Sequence, residues 1–212
     1  MTSRVTLISP ATTPSLRRAR FDDGDSLDAD GAARAGAAAG CLPTAGRSLV
    51  SPSARCRETA TALGLTASEE TALAGLDVGR WRGRTLEEVS TAEPEAVAHW
   101  LTDPSAAPHG GESVRDLCER TARWLETCGR ADGRTVCVVE PEVVRAVLVN
   151  VLHAPEIAFW RLDVPPLTAT ELTGRSGRWN LRLGHTLGDV PGRFAVSRES
   201  RRRDAQIRRV ER

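Results

Sequence analysis

The chain has no lysine and no tyrosine, and only one methionine and three phenylalanines in 212 residues. Its basic side chains other than histidine are all arginine, 29 of them against 28 acids. With abundant alanine and glycine, that skew is read as the mark of a GC-rich coding genome rather than of a function. The near balance leaves a net charge of +1, so no broad positive field gathers nucleic acid, and none is expected as a partner. No apolar run approaches the ~18 residues of a membrane-spanning helix, so no membrane association is expected. The opening residues Met1-Thr2-Ser3-Arg4-Val5 hold no apolar signal core, from which a cytoplasmic location is expected. Five cysteines (Cys41, Cys56, Cys118, Cys128 and Cys137) form no Cys-x-x-Cys pair and no zinc spacing, so neither a metal nor a cofactor is expected. Cys41, Cys118 and Cys137 sit in apolar patterns and read as small core residues.

What remains is enough for a sizeable core, since 40% of the residues are hydrophobic. Val5-Thr6-Leu7-Ile8 reads as a buried first strand, and Ser48-Leu49-Val50 as a second, broken at Ser51-Pro52. Thr135 to Val139 reads as a third, continuously apolar as in a parallel sheet. Helices are expected over Leu27 to Cys41, with Asp28 or Asp30 as N-cap, over Ala54 to Leu63, over Glu112 to Cys128 and over Val143 to Leu152. Leu167 to Leu172 and Trp179 to Leu187 read as a closing strand pair around Gly174 to Gly177. This alternation implies a three-layer α/β/α sandwich with a mostly parallel central sheet. Residues 1–192 are expected to form one domain. Residues 193–212 are crowded with arginines and read as a solvated tail or a partner-binding arm.

Several local patterns follow one another in a telling order. The first strand runs into Ser9-Pro10-Ala11-Thr12-Thr13, and Arg20-Phe21 follows. Ser51-Pro52-Ser53-Ala54-Arg55 leads on to Thr59-Ala60. Leu76-Asp77-Val78-Gly79-Arg80-Trp81-Arg82-Gly83 is followed by Gly110-Gly111-Glu112-Ser113, and the third strand ends in Glu140-Pro141-Glu142-Val143-Val144-Arg145. This succession, over about residues 4 to 187, resembles the histidine phosphatase superfamily, the phosphoglycerate-mutase-like proteins. The resemblance implies that family's fold. It also implies a chemistry that needs a nucleophilic imidazole, arginines and a second histidine around the phosphate, and a carboxylic acid. On the matched frame the nucleophile position is Pro10, the neighbouring arginine position is Ser9, the acid position falls near Gly75 and the second histidine position is Glu140. Arg55 remains of the phosphate clamp.

The sequence therefore reads as a divergent member without the catalytic histidines. It is expected to bind a small molecule or a protein partner in the former active-site cleft, and a homodimer is compatible with it. The expected ligand-binding residues are Ser9, Pro10, Arg55, Glu112 and Glu140, gathered around one cleft. The alternative is an enzyme of other chemistry that uses Glu140, Glu112 or His109 as acid and base. A third reading is an active phosphatase with a displaced histidine. Arg55 and Glu140 are read either as ligand contacts or as an ion pair with each other. Glu142 is read as a first-turn acid favoured by its helix dipole. Trp81 and Trp100 are placed at the mouth of the cleft.

Overall fold

The computed structural model describes residues 2–130, 132–175 and 177–188. The arginine-rich tail, 193–212, lies outside the described residues, as does the end of the expected domain. Strand β1 is Ser3–Ile8, followed by the short helix α1, Pro14–Arg17, and by α2, Ala29–Ala37. Then come β2, Arg47–Val50, α3, Ala54–Ala62, and the edge strand β3, Ser68–Glu69. An insert carries α4, Leu86–Ala92, and α5, Pro94–Thr102. The chain returns through α6, Val114–Arg130, β4, Gly133–Val138, and α7, Pro141–Leu152, to the hairpin β5, Thr168–Arg175, and β6, Arg178–Thr186.

The strands form one sheet in the order β3-β2-β4-β1-β5-β6. β1 lies parallel to β4, with Ile8 beside Val138, and β4 lies parallel to β2, with Val138 beside Val50. β5 runs antiparallel to both of its neighbours. Period-two alternation then divides the core between two faces. Val5, Leu7, Leu49, Cys137 and Val139 pack against α6 and α7 on one side. Ile8, Val50, Val136 and Val138 meet the Cys56, Ala60 and Leu63 side of α3 on the other. The expected sandwich is thus what forms.

The expected helices are found with shifted ends. α2 starts where Asp28 caps it, its carboxylate accepting from Gly31 N at 2.6 Å. It stops at Ala37, short of Cys41, which is half-buried in the following turn rather than in the core. The stretch from 65 to 111, left unassigned by periodicity, holds β3, α4 and α5. Each is short, and a short element gives too few turns for a pattern to show.

Two of the glycine motifs fit backbone against backbone. A Cβ on Gly111 would lie 2.0 Å from Asp77 O, and one on Gly79 would lie 2.3 Å from His109 O. The two loops are tied by Arg80 N donating to His109 O at 3.1 Å and Glu112 N donating to Asp77 O at 2.8 Å. Only hydrogen at those α-carbons allows this approach, so the insert's position depends on them. Gly111→Ala is expected to destabilise the fold by about 3 kcal/mol or more, because backbone must move. For a domain of this size that is a fall in Tm of roughly 6–12 °C. Gly110→Ala meets no atom within 4 Å and strains only a left-handed residue with φ +79, at a cost of about 1 kcal/mol. Equal melting temperatures for the two variants would contradict this account.

Candidate active-site cleft

The carboxyl ends of β1, β4 and β2 finish level with one another, and a cleft of about 990 Å³ opens beside them. This is where side chains from successive loops of an α/β sheet converge. From β2 the chain turns through Ser51 and Pro52 to Ser53, whose hydroxyl caps α3 by accepting from Cys56 N. The first turn of α3 carries Arg55. From β4 it passes through Val139 to Glu140, the residue before α7, whose first position is Pro141. Because β2 and β4 are neighbours, Arg55 and Glu140 meet.

Arg55 Nε donates to Glu140 Oε1 at 3.0 Å. Nη2 lies 2.6 Å from Oε2, a close ion pair whose angle falls short of a hydrogen bond. The two side chains are 9% and 2% exposed, so the pair sits in low dielectric. Burial alone would lower the pKa of Arg55, but the Glu140 carboxylate outweighs it and holds the guanidinium above its ordinary value. Both residues line the cleft, and each is the other's first partner.

The other expected site residues are placed differently. Ser9 and Pro10 are buried and do not line the cleft. Ser9 Oγ accepts from Thr168 N at 2.9 Å and donates to Pro165 O at 2.5 Å, which stitches the end of β1 to the start of β5. No helix begins at Pro10; α1 begins at Pro14, capped by Thr13. Glu112 also lies outside the lining, held by Arg120 through Nε to Oε1 at 2.9 Å and Nη2 to Oε2 at 2.8 Å. Arg120 donates as well to Ala72 O and Ala74 O, so this cluster buckles α6 to the strand-to-insert segment. His109 is 1% exposed and packs edge-on against Trp81 and Trp100. Its Nδ1 accepts from Gly111 N at 3.0 Å, closing the glycine turn, and burial lowers its pKa, which keeps the ring neutral. Trp81 is fully buried, while Trp100 does reach the cleft.

Sequence reasoning missed two residues that the cleft does contain, Glu142 and Arg145. They stand three apart on α7, and i, i+3 neighbours share a helix face. That spacing after Glu140 was the available signal. Glu142 fills a particular gap: a Cβ on Gly75 would lie 2.9 Å from Glu142 Oε1 and 3.1 Å from Glu140 Cγ. The space that a side chain at 75 would need is taken by carboxylates from the α7 side. Burial, and then the charge of Glu140, push the pKa of Glu142 up, against the pull of Arg55. The Arg145 guanidinium lies over the Phe159 ring, 5.8 Å from its centroid, and makes no hydrogen bond or ion pair among the described residues. An aromatic wall continues from Phe159 to Trp160 (5.0 Å), Trp100 (4.3 Å) and Phe21 (5.9 Å).

Comparison with known proteins agrees with this architecture. The chain is similar to a glucosyl-3-phosphoglycerate phosphatase of Mycolicibacterium vanbaalenii, 37% identical over 66% of this chain and 65% of that protein. It is also similar to a bifunctional protein of Mycobacterium tuberculosis, 32% identical over 72% of this chain and 45% of that one. The chain thus spans about half to two thirds of the length of these relatives. Among solved structures, native mycobacterial glucosyl-3-phosphoglycerate phosphatase superposes with a TM-score of 0.77 at 24% identity, over 88% of this chain and all of that one. A structure named mycobacterial hydrolase 2 gives 0.78 at 22% identity, over 97% of each chain. At such identities these two likenesses show the fold. The family model of the histidine phosphatase superfamily (branch 1) matches residues 15–185, and the chain belongs to that superfamily.

Proposed function

We propose that this chain is a histidine-phosphatase-fold protein that does not hydrolyse phosphomonoesters and instead binds a small molecule or protein partner in the cleft. The observation that carries the reading is the cleft's own inventory. All four histidines fall among the described residues, and none lines it. The residue after Ser9 at the end of β1 is a proline, which has no nucleophile, and Arg55 is consumed by Glu140. A phosphate oxygen brought to Arg55 would stand about 4 Å from the Glu140 carboxylate. Repulsion there is roughly 4 kcal/mol per pair of unit charges at an effective dielectric near 20.

The reading opposed to this is phosphomonoester hydrolysis, which the phosphatase names of the relatives favour. It asks for an imidazole that would have to come from His109, and His109 is enclosed by Trp81 and Trp100. Repurposed acid–base chemistry loses Glu112 and His109 on the same geometric grounds. Of the cleft carboxyls discussed, it keeps only Glu142 as a proton carrier outside the ion pair.

Two measurements test the proposal. Incubated with p-nitrophenyl phosphate or 3-phosphoglycerate, the protein is expected to release no phosphate above the buffer rate. A turnover of about one per second, abolished by a single substitution in this cleft, would overturn the reading. Orthovanadate is expected to bind with a Kd of about a millimolar or weaker. Glu140→Gln is expected to tighten it tenfold or more, because the substitution frees the guanidinium from a competing charge. It also removes the hydrogen-bonded counter-ion of buried Arg55, leaving the more distant charges of Glu142 and Asp22, at a cost of up to about 3–5 kcal/mol, or a fall in Tm of roughly 10 °C. Lower stability with unchanged vanadate affinity would show that the pair does not control anion access.

A further inference from the structure

We propose that Arg145 is the anion acceptor of the cleft and that the ligand it takes carries a single flat carboxylate on an apolar or aromatic body. This rests on the reading of the cleft as a binding site rather than a hydrolytic one. The cleft has five arginines in its lining, and four of them make a hydrogen bond or an ion pair, those of Arg57 and Arg82 being solvent-exposed. Arg55 is held by Glu140, Arg57 by Glu69 at 3.3 Å, Arg82 by Asp77 at 3.8 Å, and Arg20 donates to Gly83 O. Arg145 makes no hydrogen bond or ion pair among the described residues, and Glu142, one turn before it, is the carboxyl that feels its charge. Arg145 Nε is buried without an acceptor, while its terminal nitrogens are not among the buried polar atoms left without partners. The fork of the guanidinium is therefore the part that a ligand reaches.

Phe159 backs that fork. The ring is 1% exposed, and the guanidinium carbon stands 5.8 Å from its centroid, within cation–π range. A fork of parallel N–H groups matches the two coplanar oxygens of a carboxylate. The edge-on aromatic wall continues into Trp160 and Trp100, so an apolar slot begins beside the cation.

Charge on the other side sets the limit. Glu142 stands one turn before Arg145, and Glu140 lies next to it. A dianion at Arg145 meets their repulsion on two charges, whereas a carboxylate meets it on one. Glu142, whose pKa is raised by burial and by Glu140, accommodates a monoanion at least cost when protonated.

The test uses the full chain and four probes: phenylacetate, acetate, phenyl phosphate and benzylamine, titrated by calorimetry with tryptophan fluorescence in parallel. Phenylacetate is expected to bind at least tenfold more tightly than each of the other three and to perturb the tryptophan emission. Arg145→Gln is expected to weaken phenylacetate tenfold or more and not to weaken benzylamine, whose ammonium the native guanidinium repels. Arg145→Lys, which keeps the charge and loses the flat fork, is expected to weaken it at least threefold, and it carries the test if the glutamine variant fails to fold. The proposal is overturned if phenylacetate binds no better than acetate, if phenyl phosphate binds more tightly, or if both variants bind phenylacetate as the native protein does. Release of phenol from phenyl phosphate is read separately by absorbance. It would overturn the non-hydrolytic reading, whereas a flat phenylacetate titration without phenol release would overturn this inference alone.

Discussion

The parallel pairing of β1 with β4, and of β4 with β2, is the constraint on which the rest depends. It sets Ile8, Val138 and Val50 side by side, so three strands end at one level and three loops leave from one edge. The register is locked by hydrogen bonds beyond the strands, from Val139 N to Ile8 O and from Ser51 N to Val138 O, both at 2.9 Å. Slipping any strand by one residue would turn its apolar side chains to the wrong face of a sheet that is buried on both sides. The same register fixes which side chains meet at the edge. Arg55 and Glu140 are 85 residues apart in the chain and touch because β2 and β4 are neighbours.

That contact governs the electrostatics of the cleft. Two charges at 9% and 2% exposure have lost most of their hydration, and each is tolerable only because the other is there. The pair cancels its own charge at the cleft, where α7 adds Glu142 and Arg145. One turn apart on that helix stand a carboxyl whose protonation is favoured and a guanidinium backed by a ring. A site so arranged has a local polarity that the net charge of the chain does not disclose.

The glycine loops have a different logic. Gly79 and Gly111 bring two backbones together and so place the insert with α4 and α5, whose Val89, Val97 and Trp100 form a small core with Trp81. This core presents Trp100 to the cleft and encloses His109. The glycines of these two loops act by packing, because backbone fits against backbone where a Cβ would lie 2.0–2.3 Å from a carbonyl oxygen.

The sequence by itself determined the layers. Val5 to Ile8 and Thr135 to Val139 are apolar on both faces, which only a doubly covered sheet can satisfy, and the α3, α6 and α7 stripes supplied the cover. It determined that Arg55 and Glu140 belong to strand-end loops, and left open whether they face a ligand or each other. Tertiary structure decided that question, because an ion pair is a matter of distance between strands and not of spacing along a chain. It also decided that Ser9 is spent on the backbone at 165–168, that Arg120 claims Glu112 and that tryptophans enclose His109. Each of these residues reads as a site candidate when taken alone, and each is engaged by a partner that its own motif does not name. Arg145 gained its standing in the same way, by being the cleft arginine that the fold left without a partner among the described residues.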